Sequence, residues 1–198
     1  LSNAFNKDNE ETDITTTALS EQNEPLETSS LQRTHVYQKT SLTNIAVDYL
    51  QPVTSNGAME MGYKGIFRYL NSDYERATQI NDEFIIDPLN TNVFLFNEQI
   101  HAAYVQYSGW SGDKEEPKLK YNAGLRAEQV WNTGETIDKT EEFSNKYFNP
   151  YPSGSLSYFM RNRDNFRLSY SRRINRPGLG QLNPFTDITD SLNQRSGN

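Results

Sequence analysis

The sequence predicts an all-β chain: an antiparallel up-and-down meander, a partial transmembrane β-barrel wall of about seven strands. Three observations predict it. Apolar and polar residues alternate with period two in segment after segment. The connections between those segments fall into two length classes. Aromatic residues are plentiful, with 12 Tyr and 10 Phe, in a chain whose hydrophobic share is only 34%. So low a share often marks disorder, but disordered chains are poor in aromatics. A barrel wall fits better, since it makes one face of each strand apolar and keeps the other wet.

The alternation is clear from Thr43 onward, where Ile45, Val47 and Tyr49 oppose Asn44, Ala46 and Asp48. A turn follows at Asn56-Gly57, residue types that tolerate positive φ. In the next strand Met59, Met61, Tyr63, Phe67 and Tyr69 form one face, and Glu60, Lys64 and Arg68 mark the other. Leu119, Tyr121 and Leu125 likewise oppose Lys118, Lys120, Arg126 and Glu128. Phe166, Leu168 and Tyr170 close the series; the strand over Ile100 to Tyr107 carries apolar residues on both faces. Ile45, Val47, Met61, Tyr63, Phe67, Tyr121, Leu125, Leu168 and Tyr170 are therefore predicted to share one lipid-facing surface.

Short turns fall at Thr54 to Ala58, Ser111 to Pro117 and Arg161 to Asn165, and longer polar links at Ser72 to Asn92, Asn132 to Asn149 and after Arg176. Transmembrane barrels have short periplasmic turns and long outer loops. Strands starting near Met59, Lys118 and Phe166 then run outward, and those near Thr34, Phe94 and Tyr151 inward. A soluble β-sandwich would alternate too, but has no reason to sort its loops by length.

The predicted organisation is one incomplete barrel segment over residues 1–198. Residues 1–33 form a strand plus an extracellular loop with Asn23-Glu24-Pro25 near its tip, 34–174 the hairpins, and 175–198 a further extracellular loop. A disordered tail is the other reading of the Thr-rich start. A barrel of about 22 strands needs roughly 220 residues for its membrane band alone, so about seven strands read as part of a larger barrel, with no plug domain.

Composition excludes several functions. The net charge of -7 argues against nucleic-acid binding, which needs a basic stripe. With no cysteine, disulfides and thiol chemistry are out. Runs such as Val93 to Phe96 are far shorter than the roughly 20 residues of a membrane helix. His35 and His101 lie in different strands without a second histidine at ligand spacing, so they read as wall or loop residues and not as a metal site. The acidic clusters at Asp8 to Glu11, Asp113 to Glu116 and Glu141-Glu142 lack the alternating oxygen ligands of a calcium loop, so solvated charge is the simpler reading and weak cation binding the sharper one. Nothing assembles a nucleophile, base and orienting group, so no enzyme activity and no cofactor are expected.

Two readings concern aromatic and charged residues. Tyr49, Tyr69, Tyr74, Trp110, Trp131, Tyr147, Phe148 and Tyr151 fall near strand ends and are predicted to form headgroup-level girdles. Lys64, Arg68, Arg126 and Glu128, on the wet parity, are candidates to line a lumen, where such charges either meet solute or pair across strands and grip a plug. Arg172 and Arg173 are adjacent, so only one can face inward; the parity of Phe166, Leu168 and Tyr170 makes that one Arg173.

The stretch Leu168 to Gly178, with Arg172-Arg173-Ile174-Asn175-Arg176-Pro177-Gly178, then Asn183-Pro184-Phe185 and Gly197-Asn198, resembles the outer-membrane β-barrel family of TonB-dependent receptor-like proteins. Asp48-Tyr49, Ala102-Ala103-Tyr104, Ala123-Gly124-Leu125-Arg126 and Tyr147 to Pro152 stand in the order that family shows. The resemblance covers about the last 160 residues. It implies a barrel in the outer membrane of a Gram-negative bacterium, plugged by an N-terminal domain and energised through TonB, for uptake of large or scarce nutrients. The implied partners are outer-membrane lipid, the rest of the barrel with its plug, the TonB complex acting through that plug, and a nutrient ligand. A non-transporting barrel with a structural or adhesive role, and a secreted glycan-binding β-domain, are the other readings of the same strands.

Overall fold

The computed structural model describes residues 1–19, 25–113, 115–137, 141–160, 164–176, 178, 187–190 and 193–195; at 17–19, 25–30, 187–190 and 193–195 only the backbone is described. The strands are β1 (Ser2–Leu19), β2 (Pro25–Thr54), β3 (Gly57–Ile80), β4 (Glu83–Ile86), β5 (Asn92–Gly112), β6 (Pro117–Thr136), β7 (Glu142–Phe159), β8 (Asn165–Ser171), β9 (Asp187–Asp190) and β10 (Asn193–Arg195), with a 3-10 turn at Pro88–Asn90. One sheet runs β1-β2-β3-β5-β6-β7-β8, each strand antiparallel to its neighbour, while β4 pairs with the outer end of β3. The meander is as predicted. β9 and β10 form a separate two-stranded ribbon.

In antiparallel strands, residues directly opposite each other project to the same face. One such row reads Tyr49, Met61, Val105, Leu125, Pro152, and the next toward the short turns reads Gln51, Met59, Tyr107, Ala123, Gly154, Tyr170. All nine residues predicted for the lipid side share this face. It is open: Val47 is 63% exposed, Leu125 48% and Leu168 74%. The opposite face holds Ile100, Ala102 and Val130, each at 3% or less.

Leaving an apolar side chain in water forfeits about 1.5–3 kcal/mol relative to burying it. Val47, Tyr49, Leu125, Leu156, Phe166, Leu168 and Tyr170 together approach the whole stability of an ordinary domain, about 5–15 kcal/mol. A single-layer sheet with such a face needs lipid, and no second sheet packs on it among the described residues. The soluble-sandwich reading therefore fails.

The face has a definite height. Met59 to Tyr69 covers about 33 Å of strand at about 3.3 Å per residue, or roughly 24 Å of depth at a tilt near 45°. That matches the band of a transmembrane barrel. Beyond Tyr69 the same parity turns polar, with Lys39 opposite Asn71 and Glu135 opposite Glu142. The strands nevertheless continue. Much of the predicted links at Ser72 to Asn92 and Asn132 to Asn149, and of the predicted loop before 33, is strand extension past the bilayer.

Two other expectations change. Tyr49, Tyr69, Trp131 and Phe148 lie on the lipid face, but Tyr74, Trp110, Tyr147 and Tyr151 have the opposite parity and cannot be girdle residues. Near the short turns, Tyr107, Tyr121 and Tyr158 take that place instead. Asn56 and Gly57 do not adopt positive φ; that conformation occurs at Asn81 and Asp82, which reverse the chain between β3 and β4, and at Gly112.

Candidate inner-face charge network

The register places Lys64, Arg68, Arg126 and Glu128 together on the face opposite the lipid side. Lys64, Ala102 and Glu128 form one row; Gly62, Tyr104, Arg126 and Tyr151 form the next. Strand β5 is what separates the β3 charges from the β6 charges. Its undecided pattern has a simple cause: Ile100 and Ala102 are buried on the inner face while Val105 and Tyr107 meet lipid.

Arg68, Arg126 and Glu128 are paired. Arg68 Nη1 lies 3.2 Å from Glu98 Oε2, and Glu98 is only 4% exposed. Arg126 Nε donates to Glu128 Oε1 at 2.7 Å, two residues along the same strand. The Tyr104 hydroxyl meets Asp48 Oδ1 at 2.7 Å and Glu60 Oε1 at 2.8 Å, tying β5 to β2 and β3. Parity had put Asp48 and Glu60 on the wet face; only the register brings Tyr104 between them. Lys64 is exposed on the same face.

The Arg-Arg pair behaves differently from its strand parity. β8 ends at Ser171, and Arg172 N donates to Pro152 O at 3.1 Å as the last rung. A complete rung would need the reciprocal donor from Pro152, and the next would need Pro150; proline has neither N–H. The sequence Asn149-Pro150-Tyr151-Pro152 thus stops β8. Arg172, Arg173, Ile174 and Asn175 leave the wall exposed, so the inward position inferred for Arg173 from strand parity has no strand to rest on. Arg176 then crosses β7, and its Nη2 donates to Glu128 Oε2 on β6. Glu128 accepts from two arginines at once.

Arg176 stands out in the sequence only within the family motif, and its partner lies 48 residues away, beyond any local signal. Pro177, Asn183, Pro184, Phe185 and Gly197-Asn198 lie outside the described residues, as does Asn23-Glu24. β9, farther along, comes to lie beside β1 at the other end of the sheet.

A single antiparallel layer, apolar over one bilayer height on one face and charged on the other, defines the wall of a transmembrane β-barrel. The family model described as "Outer membrane protein beta-barrel family" matches residues 1–198, and the chain belongs to that family. It is a protein of the Gram-negative outer membrane. No curated protein and no solved structure matches it.

Proposed function

We propose that the chain forms part of the pore wall of a TonB-dependent receptor that takes up a nutrient, in concert with a plug domain and the TonB complex. The observation that carries this reading is the Arg172 to Arg176 segment, which leaves the wall where β7 runs out of donors and ties back to Glu128 on the inner face. A segment tied back to the inner face, next to paired charges, suits a path that is gated and selective. The same Arg-Arg and Asn-Arg-Pro residues carry the resemblance to receptor-like proteins. Nothing in the network combines a nucleophile with a base, so its role on this reading is binding and positioning, with no cofactor.

Deleting the gene, and separately tonB, in the native host and measuring uptake of labelled metal chelates, oligosaccharides and peptides tests it. Loss of the same uptake in both strains is the expected result. A wild-type uptake profile in the gene deletion, with the barrel present in parental outer membranes, contradicts transport and leaves a structural or adhesive barrel.

A further inference from the structure

The cluster around Glu128 holds more hydrogen-bond donors than acceptors. Glu128 is 5% exposed and accepts from Arg126 and Arg176. Two guanidinium groups thus share one carboxylate. Arg176 Nε and the Tyr151 hydroxyl are both buried, and neither has a hydrogen-bond partner among the described residues. Tyr151 is 8% exposed and faces the same side as Arg126, its direct neighbour on β6. A buried donor left unpaired costs about 1–3 kcal/mol, so such groups call for an explanation. Both orphans here can donate, and both lie beside a carboxylate already shared by two guanidinium groups.

The surroundings supply room. A hollow of about 260 Å³ opens beside Arg126, bounded by Tyr104, Gln106, Gly124 and Ser153, all of inner-face parity. Asp48 and Glu60 both accept from the Tyr104 hydroxyl, which occupies them.

We propose that Arg126, Arg176 and Tyr151 form a subsite for an oxyanion, a carboxylate or phosphate group carried by a solute that passes the inner face. The inference rests on reading that face as a solute path. Planar oxyanions match the fork of donors on arginine, and one such group supplies acceptors to Arg176 Nε and the Tyr151 hydroxyl together. Glu128 holds the two guanidiniums in place and lowers their net charge, so capture stays reversible.

The test is calorimetric titration of the full-length gene product in neutral detergent with citrate and with inorganic phosphate, at ionic strength matched with sodium chloride. Saturable binding of at least one is expected, weakened at least tenfold by Tyr151→Phe and by Arg126→Gln. Lys39→Gln, which removes a positive charge on the other parity beyond the bilayer, leaves it within twofold. Tyr151→Phe removes one oxygen and keeps the packing, so it reports even where an arginine variant fails to fold. No saturable heat with either anion, or unchanged affinity in Tyr151→Phe, overturns the subsite. The readout needs no uptake, so failure here is distinct from failure of the transport reading.

Discussion

Gly134 lies beneath the ring of Phe143, its direct partner across β6 and β7: a Cβ added at Gly134 would stand 2.4 Å from two ring carbons of Phe143 and 3.0 Å from Phe94. The same device recurs where Tyr104 covers Gly62 and Tyr121 covers Gly109. Glycine weakens a strand by itself, but here it seats an aromatic ring from the neighbouring strand. Gly134→Val forces Phe143 and Phe94 out of a cluster with Leu70 and Phe96, at a cost of about 1–3 kcal/mol. The check is urea unfolding in detergent followed by gel mobility of the folded barrel. Phe143→Ala is destabilised as well, and in the double variant the two losses are less than additive, because the clash at Gly134→Val requires the Phe143 ring.

Arg68 and Glu98 are unequal partners. The Glu98 side chain is 5% exposed and that of Arg68 30%. Removing the arginine strands a buried carboxylate, at about 3–5 kcal/mol, whereas removing the carboxylate leaves a cation that can reach water. Arg68→Ala is therefore the more damaging variant, by 1 kcal/mol or more. Equal losses in equilibrium unfolding would show that Glu98 is hydrated.

Beyond the bilayer, Asp13 on β1 takes two hydrogen bonds from Arg33 on β2, at 2.8 and 2.9 Å, and the Arg33 guanidinium lies 4.2 Å from the centre of the Phe84 ring on β4. The bond from Arg33 holds the Asp13 carboxyl below its ordinary value of 3.8. A depressed acid contributes stability that is present above its unfolded pKa and lost as pH falls through its folded pKa. Backbone amides flanking Asp13 are thus expected to keep their hydrogen-exchange protection at pH 4 and above, and to lose it only at more acidic pH. Asp13→Asn removes that acid step. Protection that falls between pH 6 and 5 would point to another group.

A charge placed on the lipid face has a cost that depends on depth. Leu125→Arg, in the row with Met61 and Val105, is expected to cost about 2–4 kcal/mol, and Tyr69→Arg at the outer edge about 0–1. Unfolding titrations in lipid vesicles measure both. Equal small costs would mean that Leu125 does not face hydrocarbon.

The faces were legible in the sequence because period-two alternation is local, and the bilayer keeps it strict where lipid touches the wall. The outer extensions were not. Past Tyr69 both parities turn polar, so Ser72 to Ile80 has the composition of a loop although β3 continues through it. Aromatics near strand ends showed where rings cluster, but only cross-strand register separates Trp131, facing lipid, from Tyr147 and Tyr151, facing inward. The charged inner-face residues were found by parity. Their partners were not, because Tyr104 with Asp48 and Arg176 with Glu128 meet across strands 56 and 48 residues apart. The end of β8 was written in Pro150 and Pro152, as missing donors and not as a turn.

One face of this single sheet meets lipid and the other does not. These 198 residues hold no cysteine, so a spin label on a single introduced cysteine competes with no other thiol in this segment. Labels at Val47, Leu125 and Leu156, and at their inner-parity neighbours Ala46, Gly124 and Ser155, can be compared in the full-length gene product in vesicles. The measurement is collisional access to oxygen, which concentrates in lipid, against a water-soluble nickel chelate. High oxygen and low nickel access at the first three, and lower oxygen access at each neighbour, is the predicted result. Equal access at the paired positions, or nickel access at Leu125, would contradict a membrane-spanning wall.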